Sequence, residues 1–200
     1  KKTFPLTWEY LSENKKVLEN RENGKMKGNS FYAYIYPKNL VEFDTTKIMT
    51  PYLALQPNFT FDSDNLYHTT KVFSLSFPKR TMIDPLYILG LLNSKLMDFH
   101  IRLTGTVFRG GYYTFNTQFI ENFRVKLLNQ DLSQEKVIHD QVVNIVRQIL
   151  DLTEQVDHLK IQSQIDEMKT KINYLEEKVD KIFYDLYGFT SDEIKIIETR

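Results

Sequence analysis

"DPLYILGLLNSKLMDFHIRLTG", residues 84–105, carries the signal that sets the fold class of this chain. Asp84 followed by Pro85 is a helix start. The carboxylate accepts from the first free amides, and the fixed φ of proline suits the first helical position. Ile88, Leu91, Leu92, Leu96 and Phe99 then recur at helical spacing, which predicts one helix ending near Thr104-Gly105. The flanks read differently. "FYAYIY" (31–36), "KIMTPYLAL" (47–55), "KVFSLSF" (71–77) and "FRVKLL" (123–128) are rich in β-branched and aromatic residues and predict strands. Thr7, ahead of Trp8, Leu11 and Leu18, is expected to cap a short amphipathic helix, and Asn116 a further turn. Helices set among strands make an α+β (mixed α/β) domain.

The composition changes near residue 130. Nine of the twelve Tyr, the one Trp and all six Pro precede Gln130. After it, Ile138, Val142, Ile145, Ile149, Leu152, Val156 and Leu159 alternate spacings of four and three, as do Ile165, Met168, Ile172, Leu175, Val179, Ile182 and Leu186. That is the seam of a coiled coil. Its phase slips by one residue between Leu159 and Ile165, which suits a turn between two antiparallel helices that bury both seams in one chain. Ser133 is the expected N-cap of the first helix and Gly188 the expected stop of the second. The chain therefore divides into a domain over residues 1–130 and a long antiparallel helical hairpin (coiled coil) over residues 131–200, a spacer or docking arm.

No apolar run approaches the roughly 20 residues needed to cross a bilayer, so no membrane partner is expected. With no cysteine there is no disulfide framework and no thiolate metal site, which points to an intracellular, cytoplasmic origin. The start at Lys1 lacks both an initiator Met and a signal-peptide pattern and reads as a piece of a longer chain. Reactive constellations are missing from the pattern. No glycine-rich loop has dinucleotide or phosphate-loop spacing. His68, His100, His139 and His158 show no metal-ligand spacing. Asp192-Glu193-Ile194-Lys195 resembles the acidic-Lys end of a nuclease site but lacks its upstream strand context.

Charge is zero in sum but uneven along the chain. Residues 1–130 carry 17 Lys plus Arg against 11 Asp plus Glu, and residues 131–200 carry 9 against 15. A basic N-terminal part suits a polyanion. Duplex recognition needs cations for phosphates and Arg, Lys, Asn or Gln for base edges. The candidates sit in loops: Lys25, Lys27 and Asn29, then Lys79 and Arg80, then Arg109 with Gly110 and Gly111. The last group lies in "TGTVFRGGYYTFNTQFI" (104–120), which holds three of the seven glycines and Phe108, Tyr112, Tyr113, Phe115 and Phe119. The aromatics are expected to anchor this loop in the core, and the glycines to let Arg109 project.

Residues 84–102 and "FRGGYYTFNTQFIENFRVKLL" (108–128) together resemble the TaqI-like C-terminal specificity domain, the target-recognition domain of type IIG restriction-modification enzymes and related adenine-specific DNA methyltransferases. "LLNSKL" (91–96), the Arg-Gly-Gly-Tyr turn, "NTQFI" (116–120) and a short closing strand occur in the family's order. "TWEYLSENKKVLENRE" (7–22) is similar to its opening helix, and "KVDKIFYDLYGFTSDEIKIIE" (178–198) to the ending of such enzymes, with Phe189 where that pattern has Leu. The resemblance implies double-stranded DNA as partner, together with methyltransferase and sometimes nuclease domains of the same bacterial polypeptide. It implies no cofactor in these residues, and S-adenosylmethionine, with Mg2+ where the parent cleaves, elsewhere in that parent. The alternatives are a coiled-coil protein-interaction module and a type I-like specificity subunit without its own catalysis.

Overall fold

The computed structural model describes residues 1–36, 43–77 and 83–199. The backbone falls into two compact units, Lys1–Glu42 and Phe43–Arg200.

The first unit begins with α1 (Pro5–Glu13) and α2 (Lys15–Glu19) and ends its helical part in a short turn, α3 (Arg21–Gly24). Glu22 and Asn23 within that turn are left-handed. The expected cap at Thr7 is displaced: α1 starts at Pro5, with Phe4 as its N-cap, because proline suits the first helical position and Thr7 falls inside the first turn. Residues 31–36 form turns and bends, not the expected strand. Arg21 takes up their backbone instead, donating to the Phe31 carbonyl (2.6 Å) and the Ala33 carbonyl (3.0 Å) as well as to Leu18 (2.9 Å). Trp8, Phe31 and Tyr32 meet at ring-centroid distances of 5.4–5.8 Å and supply the small core.

The second unit holds a three-stranded antiparallel sheet in the order β3 (Thr60–Asp62), β1 (Lys47–Pro51), β4 (Val72–Ser76). The stretch 47–55 continues past Tyr52 into β2 (Leu53–Ala54), which pairs with β5 (Tyr113–Thr114) through Leu53↔Thr114 and Ala54↔Tyr113. Lys47 faces Asp62 across β1 and β3 in a fully buried ion pair, and its ammonium also reaches the Phe43 carbonyl at 3.0 Å.

The helix expected over residues 84–105 is two helices. Asp84 caps α4 (Pro85–Leu92), accepting from the Leu86 amide at 2.8 Å as the Asp-Pro pair predicts. The chain breaks at Asn93-Ser94 and resumes as α5 (Lys95–Thr104). Tertiary bonds make the break. Asn93 bonds both the amide and the carbonyl of Phe59 (2.8 and 2.9 Å), and Ser94 turns its hydroxyl onto the Leu91 carbonyl (2.7 Å). The freed N-terminus of α5 is capped from a distance, the Lys95 amide donating to Asp180 at 2.8 Å.

After the four-residue α6 (Thr117–Ile120), the stretch 123–128 runs without a strand partner, against the expectation. Its backbone groups pair with tyrosine hydroxyls. Tyr87 donates to the Lys126 carbonyl (2.9 Å), and Tyr187 donates to the Arg124 carbonyl (2.6 Å) while accepting from the Lys126 amide (2.9 Å).

Then come α7 (Ser133–His158) and α8 (Gln162–Tyr187), joined by Leu159–Ile161 where the seam slips phase, and α9 (Ser191–Glu198). All fourteen seam residues are buried or half-buried. At about 1.5 Å per residue each long helix spans roughly 39 Å. Ser133 is the first residue of α7, not its cap; Leu132 holds that place without a side-chain bond. Gly188 ends α8 with φ +75°, and the Phe189 amide returns to the Tyr184 carbonyl at 3.0 Å.

At its base the hairpin packs on α4. Leu86, Tyr87, Leu89, Gly90, Leu91 and Leu92 are all buried, so α4 is covered on every side, with strands on one flank and α7 and α8 on another. One hydrophobic core joins Ile48 and Phe59 of the sheet region, α4, α5 and the base of the hairpin. The architecture is therefore an α+β domain with an antiparallel helical hairpin packed on it.

Candidate nucleic-acid interface

The turn after α5 is built by Gly105, Gly110 and Gly111. At Gly105 a Cβ would lie 2.6 Å from the Ile101 carbonyl, so only glycine lets the chain leave the helix here. Val107 and Tyr113 then form a bridge, and the Thr114 amide donates to Thr106 at 3.2 Å. The Phe108 amide donates to the Tyr112 carbonyl at 2.7 Å, and the Gly111 amide returns to the Phe108 carbonyl at 3.2 Å. The result is a two-stranded ribbon closed by a three-residue loop, Arg109-Gly110-Gly111. Gly110 and Gly111 have φ of +86° and +80°, left-handed values that Cβ-bearing residues rarely adopt.

The base of this ribbon is fixed. Phe115 is fully buried and its amide donates to the Tyr52 carbonyl at 2.8 Å. Tyr113 and Phe119 pack half-buried against the core. Phe108 and Tyr112 do not: they are 42% and 41% exposed, and Val107 is 60% exposed. The expectation that all five aromatics serve as core thus holds for three. Alternation explains the split, since neighbouring residues on a ribbon face opposite sides and the turn carries 108 and 112 beyond the core. Two adjacent glycines marking a protruding loop were the only sequence signal for it.

Arg109 stands exposed at the tip and has no hydrogen-bond or ion-pair partner among the described residues. Arg102 is committed elsewhere. It pairs with Asp98 at 2.8 Å, a bond that raises its pKa further, and lies 5.3 Å over the Tyr113 ring. The chain carries no carboxylate between Asp98 and Glu121, so nothing nearby in sequence neutralises the tip.

The other candidates are distributed. Lys25, Lys27 and Asn29 belong to the first unit and are exposed, with the Lys25 ammonium 4.2 Å over the Tyr36 ring. Lys79 and Arg80 lie outside the described residues. A cleft of about 830 Å³ in the second unit has the wrong sign for a polyanion, because Asp98, Glu176, Glu177 and Asp180 line it against one cation, Lys95.

Chemically suggestive side chains turn out to have structural partners. His139 is buried, stacks on Tyr87 at 5.5 Å, accepts from the Asp84 amide at 3.2 Å and faces Asp140 at 2.9 Å. Asp192 and Glu193 open α9: Thr190 and Glu193 form a capping box, and Lys195 pairs with Asp192 at 3.1 Å one turn along. Among the described residues no group of His, Asp and Glu is placed to hold a metal ion, and no helix is long and apolar enough to cross a membrane.

A braced scaffold thus presents a glycine-built loop whose arginine has no partner among the described residues. The model of the TaqI-like C-terminal specificity domain family matches residues 2–125, and the chain belongs to that family. It is thus a DNA-specificity domain of the restriction-modification kind. No curated protein matches the chain.

Proposed function

We propose that this chain selects the target sequence for a type IIG restriction-modification enzyme, or a related adenine-specific DNA methyltransferase. Residues 1–130 carry the recognition surface, and residues 131–200 brace it and dock it to the other domains. The observation that carries this reading is Arg109, a cation without a partner among the described residues, at the tip of an anchored ribbon in a specificity-domain family member. Lys25, Lys27 and Asn29, with Lys79 and Arg80, would hold phosphates and fix the register, while Arg109 reads a base edge. Guanine is its natural partner, since a guanidinium meets O6 and N7 with two parallel bonds.

The S-adenosylmethionine and Mg2+ of such an enzyme do not fit the residues present. We assign cofactor binding, methyl transfer and any cleavage to other domains of the parent, and a cytoplasmic bacterial setting goes with that assignment. The seam of the hairpin is covered within one chain, which favours this reading over a module that dimerises through its tail.

Binding of the 200-residue chain to a random duplex pool, followed across salt, tests the proposal. Affinity should fall log-linearly with salt, at a slope of about 0.9 per phosphate contacted. Equal retention of the duplex pool and a neutral polymer at low salt, by this chain and by its parent, would refute it.

A further inference from the structure

The ribbon around Arg109 offers more than a cation. Phe108 and Tyr112, its closing pair, are each about two-fifths exposed. Aromatic side chains beside an exposed arginine suit a partner that is anionic outside and apolar in places. Their positions are held. Phe108 meets the Tyr52 ring edge-on at 6.4 Å, and the Tyr112 ring lies over Gly110, 3.5 Å from where a Cβ would stand. A Cβ at 110 would make an ordinary contact with that ring, and it is the left-handed φ of +86° that calls for glycine there.

A two-stranded ribbon fits the roughly 12 Å major groove of an undeformed duplex, whereas the roughly 6 Å minor groove admits one only when the duplex is bent and widened. The apolar feature on the floor of the major groove is the C5 methyl of thymine, beside the O6 and N7 acceptors of guanine. We infer that the ribbon from Thr106 to Thr114 enters the major groove and reads a guanine next to a thymine, Arg109 taking the guanine edge while Phe108 or Tyr112 packs on the thymine methyl. This rests on the reading of the chain as a duplex-recognition domain and adds the base class and the two rings. Phosphate-only contact predicts no sensitivity to a methyl group deep in the groove. A ribbon seated there predicts it directly.

The test uses the full 200-residue chain and a random duplex pool. Sites enriched from the pool are remade with deoxyuridine in place of each thymidine, which removes one methyl and leaves base pairing intact. The enriched sites should place a thymine beside a guanine. Uridine at that thymine should weaken binding about fourfold, matching the ~0.8 kcal/mol of one buried methyl-sized group. In Phe108→Ala or Tyr112→Ala the two duplexes should bind alike, while Tyr112→Phe keeps the difference. Tyr112 lies at the edge of the acidic cleft and packs over Gly110, so Tyr112→Phe, which keeps the ring, separates loss of the methyl contact from a local rearrangement. Equal binding of thymidine and uridine duplexes by the wild type overturns the inference, as does a methyl effect untouched in both alanine variants or an enriched site without adjacent guanine and thymine. Failure to retain any duplex at all refutes the recognition reading beneath it and this inference with it.

Discussion

Asn93 shows how much of this fold hangs on one side chain. Its amide oxygen and nitrogen pair with the amide and carbonyl of Phe59, as a strand neighbour would. Phe59 is buried, so loss of Asn93 leaves two backbone groups without partners. Asn93→Ala should destabilise the chain by about 2–4 kcal/mol in urea unfolding, and Asn93→Asp, which cannot donate to the Phe59 carbonyl, should not restore it. Arg109 is the opposite case, a residue with no side-chain partner among the described residues. Arg109→Ala should leave the unfolding midpoint unchanged and cost about 1–3 kcal/mol of preference between enriched and random duplexes. A shifted midpoint with intact preference would make it a structural residue. The sequence marked both residues, Asn93 inside a family motif and Arg109 by its glycines. Only Arg109 was legible as exposed, because a glycine pair predicts a turn while an asparagine in an apolar helix gives no sign of its partner.

At the scale of elements, α4 organises the second unit. Its Gly90 lies where a Cβ would come 2.7 Å from Val146 Cγ2 and 3.3 Å from Val142 Cγ1 of α7. Valine has no flexible end to move aside, so Gly90→Ala should cost about 1–3 kcal/mol through overpacking, against the smaller gain in helix propensity. Thermal unfolding of Gly90→Ala and of Gly90→Ala with Val146→Ala checks this, since the second change should recover part of the loss. The hairpin was readable because a coiled-coil seam and its phase slip are local patterns of period three and four. The stretches 31–36 and 123–128 were not. Both have strand composition, yet strand formation needs a neighbour to complete the ladder. Arg21 supplies the missing bonds to the first, and Tyr87 and Tyr187 supply them to the second.

For the molecule as a whole, the joint between α5 and the hairpin makes stability depend on pH. Asp180 caps α5 from α8, and burial pushes its carboxyl up from the ordinary 3.8 to about 6; the Lys95 amide and charge pull it down, while Glu176 and Glu198 add to the rise. The folded state therefore holds this proton more tightly than the unfolded chain does. Its contribution is fullest below about pH 4 and is lost as pH rises through about 6. Asp180→Asn keeps an acceptor for the Lys95 amide and carries no charge. It should match the wild type at pH 4 and exceed it at pH 8 by about 1–3 kcal/mol. Parallel stability-pH curves for the two proteins would show that the carboxyl does not titrate in this way.

By itself the sequence determined the helices whose caps and seams are local: α4 from Asp84-Pro85, the paired α7 and α8 from their heptads, and the α8 terminus from Gly188. It also carried the family resemblance, through motifs in residues 7–22, 84–128 and 178–198. Tertiary structure alone decided where the helix over 84–105 breaks, because Phe59 and Asp180 hold the ends freed at Asn93 and Ser94. It alone decided which aromatics of the 104–120 loop are core and which face outward, since burial depends on what the rest of the chain brings alongside. Periodicity and capping act within a few residues. Satisfying a buried backbone group draws on partners dozens of positions away.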